Sequence, residues 1–189
     1  MAFFLKSFTL KTEYRGIQPF KMEFHDGLNV IVGENGSGKS TLLALLTDTD
    51  NSEENKARRT IDYEPVEFRF LDTEKQNPRI KGDCSNSKNI CFEVYSHFMS
   101  HGETMLPLVL SSKDFKNIIL FVDEPESGIS LSNQKKIFEG LQKASIENNC
   151  QVIITTHSYV IIKMTSTVFC MDNKQWIASN EYLKNLLEK

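Results

Sequence analysis

Cysteine is scarce and scattered in this chain. Cys84, Cys91, Cys150 and Cys170 stand far apart with no Cys-x-x-Cys pair, which leaves neither a zinc ribbon nor a dithiol redox motif. Reduced thiols in a cytoplasm fit this usage. Excess charge of one sign is also missing: 22 Lys+Arg stand against 25 Asp+Glu, a formal charge of -3. There is no global basic field for nucleic acid, so any DNA contact must be local. No apolar run approaches the roughly 18 residues of a membrane span, and the run before Lys6 is too short for a signal peptide. A cytoplasmic, non-secreted chain without membrane insertion is expected. His25, His97 and His101 show no metal-binding spacing. Repeats, linkers and low-complexity tracts are lacking too, so the 189 residues read as one domain, 1–189, large enough for a core without disulfides or metal.

What is present is a strand and helix pattern. "FFLKSFTLKTEY" and "FKMEFHDG" alternate like two strands joined by a turn around Gly16 and Pro19. "LNVIVG" is a continuous apolar run that suits a strand buried on both faces. "KSTLLALLTD" reads as a helix, "NSEENKARRT" as an exposed polar stretch and "VEFRFLD" as a half-buried strand. Loop formers dominate "TEKQNPRIKGDCSNSKN"; "ICFEVYSHFM" suits strand or helix, and "ETMLPLVLSSKDF" a helix started or broken near Pro107. A buried strand, "KNIILFVDEPE", an amphipathic helix, "SNQKKIFEGLQKASIEN", and a second buried strand, "CQVIITTHS", follow. Two short elements, "STVFCMD" and "NEYLKNLLEK", close the chain. The expected fold is α/β, with a largely parallel central sheet flanked by helices and an N-terminal antiparallel β portion.

"GENGSGKS", Gly33 to Ser40, fits Gly-x4-Gly-Lys-Ser between an apolar strand and a helix, the context of a phosphate-binding loop. Gly33, Gly36 and Gly38, with Glu34, Asn35 and Ser37 between them, let the backbone curl with its N–H groups inward. The new helix at Ser40 and Thr41 turns its positive end to the same anion. Lys39 is placed to bridge the β- and γ-phosphates, and the Ser40 hydroxyl to ligate Mg2+.

"IILFVDEPE" puts Asp123 and Glu124 at the carboxyl end of a buried strand, 84 residues after Lys39 in the case of Asp123. Ligands of open α/β sheets bind there. Asp123 would hold magnesium through its water shell, and Glu124 would orient and polarise the attacking water. Strands often end in acids without function; the phosphate loop upstream is what raises this pair above a solvated turn. Glu126 reads as a cap of the following helix. "VIITTHS" leaves His157 at another strand end. A lone histidine is ordinarily structural, but beside the two motifs it becomes a γ-phosphate sensor. Tyr14 and Arg15 are candidates to stack on the base, with strand packing as the competing account of Tyr14.

Together these residues resemble the ABC-type P-loop ATPases, from the first strands to His157. "DEPESGIS" and "QVIITTHS" look most like the stand-alone branch that includes SMC, RecF and overcoming-lysogenization-defect proteins. The resemblance implies ATP as the nucleotide, a D-loop over Ser127 to Leu131, and a Q-loop glutamine at Gln76, 37 residues after Lys39, reaching magnesium and the water. It also gives a role to "MSHGE": Ser100, 23 residues before Asp123, and Gly102 match the signature that closes over a neighbour's ATP. His101 stands where the family has its first glycine. The alternative is a helix cap at a coincidental spacing.

Gln76 and Ser100 are 24 residues apart, so the helical lobe is much reduced and neither a transporter-docking lobe nor a coiled coil fits. The expected function is an ATP-hydrolysing switch that works as an ATP-dependent head-to-tail homodimer. A separate effector protein, in DNA maintenance or anti-phage defence, would take the output. DNA would be met by the loop carrying Lys75, Arg79, Lys81 and Lys88, for which a solvated loop is the plainer reading. The alternatives are an ATP-binding subunit of a transporter and a non-catalytic, ATP-dependent interaction module.

Overall fold

The structure, a computed structural model, describes residues 2–47, 53–72 and 116–188. Gln76, Ser100, His101, Gly102 and the Lys75, Arg79, Lys81, Lys88 cluster lie outside the described residues.

Two sheets form the scaffold. The first is antiparallel, in the order β2 (Phe20–Glu23), β1 (Leu5–Leu10), β4 (Arg59–Tyr63). The second holds β5 (Phe68–Asp72), β6 (Ile119–Asp123), β7 (Gln151–Thr155), β3 (Leu28–Val32), β8 (Thr167–Cys170) and β9 (Gln175–Ala178) in that spatial order. Every neighbouring pair in it is parallel except β8 with β9. The mostly parallel sheet with an antiparallel N-terminal portion is as the sequence implies.

The apolar runs of β3, β6 and β7 are explained by their burial on both faces. Val30, Val32, Leu120, Val122, Val152 and Ile154 pack toward Ile137, Phe138 and Leu141 of α3 (Leu131–Glu147), Ile161 and Ile162 of α4 (Tyr159–Met164), and Tyr182 and Leu183 of α5 (Ser179–Leu187). The alternate residues Ile31, Ile119, Phe121 and Ile153 face Leu42, Leu43, Leu45 and Leu46 of α1 (Lys39–Thr47) and the antiparallel sheet's Leu5, Phe8, Leu10 and Met22. The strand period of two thus splits one run of residues between two cores. Among the described residues no helix is long and apolar enough to cross a membrane.

Gln151 joins the two sheets. It is fully buried, its Oε1 accepting from the N–H groups of Phe4 and Leu5 at 2.9 and 2.6 Å and its Nε2 donating to the carbonyls of Leu5 and His25 at 2.8 and 2.9 Å. Three of its four bonds serve Phe4 and Leu5 at the irregular start of β1, where the β1–β4 register shifts between Leu5 and Ser7, and the fourth reaches His25 just after β2. Arg59 makes a second joint, donating from its guanidinium to the Leu45 carbonyl near the end of α1, one of the terminal carbonyls a helix leaves without an internal partner.

The described part of the polar stretch "NSEENKARRT" is largely exposed, as expected, with Arg59 as the buried exception; its secondary structure is what the sequence did not indicate. That part forms α2 (Glu53–Arg58) and then enters β4, which pairs with β1 through Leu10↔Arg59 and Phe8↔Ile61. Of the five residues in β4 only Arg59 is buried, so no apolar alternation marks the strand. β9 and the six-residue α4 are the other elements that the sequence reading did not separate.

Candidate functional site

The parallel strands β3, β7 and β6 lie side by side and release their loops at the same edge. Asp123 is in register with Thr155, and Thr155 with Ile31. Three separate sequence motifs therefore converge: the glycine loop after β3, Asp123 and Glu124 at the end of β6, and His157 just beyond β7. A cleft of about 200 Å³ is lined by Arg15, Asn35, Gly36, Gly38, Lys39, Ser40, Thr41, Glu124 and His157.

Within the loop, the Ser37 N–H donates to the Glu34 carbonyl at 3.1 Å, and the Leu42 N–H to the Gly38 carbonyl at 2.8 Å, opening α1. Gly38 has φ +96° and lies against Ile17; a Cβ there would meet Ile17 Cγ1 at 2.7 Å. Only glycine satisfies both the left-handed backbone and this close approach. Gly33 and Glu34 bend their carbonyls toward Lys39, whose Nζ donates to them at 3.0 and 3.2 Å. Burial holds the Lys39 ammonium below the usual lysine range, opposed by the charges of Glu124, Asp172, Asp123 and Glu126. A phosphate chain in the cleft would supply negative charge directly and favour the ammonium form. Asp172, in the turn between β8 and β9, accepts from the Glu34 N–H at 3.2 Å and braces the start of the loop.

Ser40 and Asp123 meet across the cleft, with Ser40 Oγ donating to Asp123 Oδ1 at 3.4 Å. Thr155 Oγ1 donates to the same carboxylate oxygen. Thr155 is fully buried, and its carbonyl also accepts from the Glu124 N–H at 3.1 Å. Sequence reasoning missed this threonine because it ends an apolar strand directly opposite Asp123, information that only strand pairing supplies. Two hard oxygens so close suit magnesium, which binds through few protein ligands and keeps waters and phosphate oxygens for the rest of its octahedron. Among the described residues no group of three or more His, Cys, Asp or Glu is placed to hold a metal.

Glu124 sits at φ +44°, a left-handed backbone that is costly for a residue with a Cβ and is found disproportionately at functional sites. Its carboxyl is pushed up by burial and by the neighbouring Asp123 and Glu126 charges, while His157 and Lys39 oppose the shift. His157 Nε2 lies 3.5 Å from Glu124 Oε1, so the proposed base and sensor are neighbours. Glu126 does not cap α3 as expected: Ser130 is the N-cap of that helix, and Glu126 Oε1 instead accepts from the backbone N–H groups of His157 and Ser158.

Arg15 reaches the cleft from the tip of a tight turn, at φ 50° and followed by Gly16 at φ 81°, with Tyr14 and Ile17 bonded across it at 3.0 and 2.9 Å. Tyr14 stands behind it. The guanidinium carbons of Arg15 and Arg58 lie 5.2 and 5.0 Å from its ring centroid. Arg58 had no signal in the sequence, being one cation in a polar stretch.

Comparison with known proteins adds four findings. The chain is 23% identical over 177 residues to the zinc import ATP-binding protein ZnuC of Vibrio vulnificus, covering 83% of this chain and 68% of that protein. An inward-facing metal-chelate type ABC transporter superposes with a TM-score of 0.63 at 19% identity, over 98% of this chain and 90% of that one. A dimeric bacterial ABC transporter cassette superposes with a TM-score of 0.56 at 15% identity, over 88% and 93%. At such identities the two structures speak for the fold alone. The relatives named are transporter proteins, so the narrower likeness to the SMC and RecF branch gains no support from them. The AAA ATPase domain profile matches residues 4–104 and 103–162, most of the chain: the protein belongs to the AAA ATPase domain family, with the fold of an ABC-type P-loop ATPase.

Proposed function

We propose that this domain binds ATP with magnesium and hydrolyses it as a head-to-tail homodimer, the nucleotide being shared between the glycine loop of one subunit and the Ser100–Gly102 segment of the other. The observation that carries the reading is the convergence of Lys39, Ser40, Glu124 and His157 on one cleft at the ends of three adjacent strands. The dimeric cassette of the same fold supports the dimer.

In the proposed reaction Lys39 exchanges its two carbonyl partners for phosphate oxygens. Ser40 and Asp123 would hold the magnesium, whose charge would offset that of the phosphates. Glu124 accepts a hydrogen bond from a water and aligns it with the γ-phosphorus. As the new P–O bond forms, the water's proton passes to Glu124, the bond to the β–γ bridging oxygen breaks, and ADP and inorganic phosphate separate. His157, beside Glu124, donates to a γ-phosphate oxygen. Arg15, with Tyr14 behind it, is placed to meet the base. Gln76 keeps its proposed role at the metal and water.

Ser100→Arg tests the shared site. Fluorescent ATP-analogue binding by the monomer should stay within about threefold, whereas dimerisation and turnover should be lost, because a bulky guanidinium replaces the hydroxyl proposed to meet the neighbour's phosphate. Wild-type turnover in this variant would remove Ser100 from the site.

For the output, the zinc-import relative favours coupling to a membrane-transport partner over a DNA-maintenance or anti-phage effector. The 24-residue span from Gln76 to Ser100 weighs the other way, since it leaves little chain for a docking lobe. Duplex DNA decides the nucleic-acid reading. Binding that weakens steeply with salt and disappears when Lys75, Arg79, Lys81 and Lys88 are neutralised would support it; no binding at low salt removes it.

A further inference from the structure

Glu126 lies three residues beyond Asp123, yet its carboxylate serves a different strand end. After β6 the chain turns, with the Ser127 N–H donating to the Glu124 carbonyl at 3.1 Å and the Ile129 N–H to the Glu126 carbonyl at 3.2 Å. That turn brings the Glu126 side chain to the loop leaving β7. There Oε1 accepts from the N–H of His157 at 2.5 Å and of Ser158 at 3.1 Å. Bonds from backbone amides to an ionised carboxylate are about twice as strong as neutral ones.

A second side chain ties the same two segments. Gln134 of α3 donates from Nε2 to the Ile129 carbonyl at 3.1 Å, and its Oε1 accepts from Ser158 Oγ at 2.6 Å. The Ser158 hydroxyl in turn accepts from the Ile161 N–H at 3.2 Å, starting α4. The loop carrying His157 is thereby fastened to the turn that follows Asp123. Glu126 itself is not among the residues that line the cleft. Its charge is felt by Glu124 and Lys39 across space, while its hydrogen bonds reach the site through the loop that carries His157.

We propose that Glu126 is a positioning residue for hydrolysis: its carboxylate clamps the His157 and Ser158 amides and so fixes the imidazole beside Glu124 and the γ-phosphate. The proposal rests on the reading that Glu124 and His157 act on bound ATP. Displacing a positioned group by about 1 Å can cost about 100-fold in rate, and the two amides are the nearest fixed points of the His157 backbone. The chemistry of the clamp requires an acceptor long enough to meet both N–H groups. A full negative charge strengthens it without being indispensable.

The experiment compares steady-state phosphate release by wild type, Glu126→Ala, Glu126→Asp and Glu126→Gln, with Glu124→Gln as the inactive reference. Glu126→Ala should lower kcat by about 10- to 100-fold while KM for Mg-ATP stays within about threefold. Glu126→Asp keeps the charge but is one methylene shorter, and should behave like Ala; it stands in if the Ala variant does not fold. Glu126→Gln keeps the length and an acceptor oxygen, and should restore kcat to within about fivefold of wild type. A merely structural residue would lower the melting temperature and leave kcat per folded molecule unchanged. The proposal is overturned if both the Ala and Asp variants keep wild-type kcat, if the defect lies in KM alone, or if Gln is as poor as Ala. Wild type no faster than Glu124→Gln would overturn the hydrolysis reading, and this proposal with it; a wild type that turns over beside indifferent Glu126 variants overturns the proposal alone.

Discussion

Glu124→Gln should lower steady-state phosphate release by about 100-fold or more, with ATP affinity within a few-fold of wild type. The amide keeps the size of the carboxylate and loses its basicity. It also removes a negative charge from a crowded site: Asp123 and Glu126 both raise the Glu124 carboxyl, and Glu124 in turn supports the charge of Lys39. In the proposed site binding relies on the loop N–H groups, Lys39 and the Ser40–Asp123 pair, all of which the substitution leaves in place, and bound phosphate would support the Lys39 charge where Glu124 no longer does. A non-catalytic module that uses ATP only as a structural ligand would give equal phosphate release from both proteins. Measuring release at saturating Mg-ATP separates that account from the enzyme.

Gln151→Leu should destabilise the fold by about 3–5 kcal/mol, read from urea unfolding. The substitution removes all four side-chain bonds and leaves the N–H groups of Phe4 and Leu5 without their acceptor; each buried donor so abandoned costs about 1–3 kcal/mol. For a chain of this size the melting temperature should fall by about 8–15 °C. Gln151→Glu separates the two halves of the amide. It keeps an acceptor for Phe4 and Leu5 but brings a buried charge against the Leu5 and His25 carbonyls, and should also be unstable. A loss below about 1 kcal/mol in Gln151→Leu would mean that water or a local shift of β1 replaces the lost bonds.

Gln151 also marks where the sequence stops being informative. In "CQVIITTHS" the run of apolar residues announces a buried strand and His157 its functional end, yet nothing in the one-dimensional pattern says that the first residue of β7 ties down a second sheet. Thr155 is a similar case: its contact with Asp123 depends on β6 and β7 being in register. β3, β6 and β7 were legible because strands covered on both faces must be apolar throughout. β4 was not, because an edge strand with one buried residue, itself an arginine, carries no periodic signal. The cleft followed the same rule. Gly33 to Thr41, Asp123, Glu124 and His157 are local motifs whose chemistry is set by residue type and spacing, and the structure brings them together. Glu126 was read as a local helix cap because local capping is the commonest job for an acid there, whereas its actual partners lie 31 and 32 positions away in the chain.

Light scattering of Glu124→Gln measures the ATP-dependent dimer on which the proposed hydrolysis depends. One chain is 21.7 kDa. That mass is expected without nucleotide and with Mg-ADP, and twice that mass with saturating Mg-ATP, reverting when Ser100→Arg is added to the same protein. A Glu124→Gln protein that binds Mg-ATP at saturation and still scatters as a single chain would contradict the dimer.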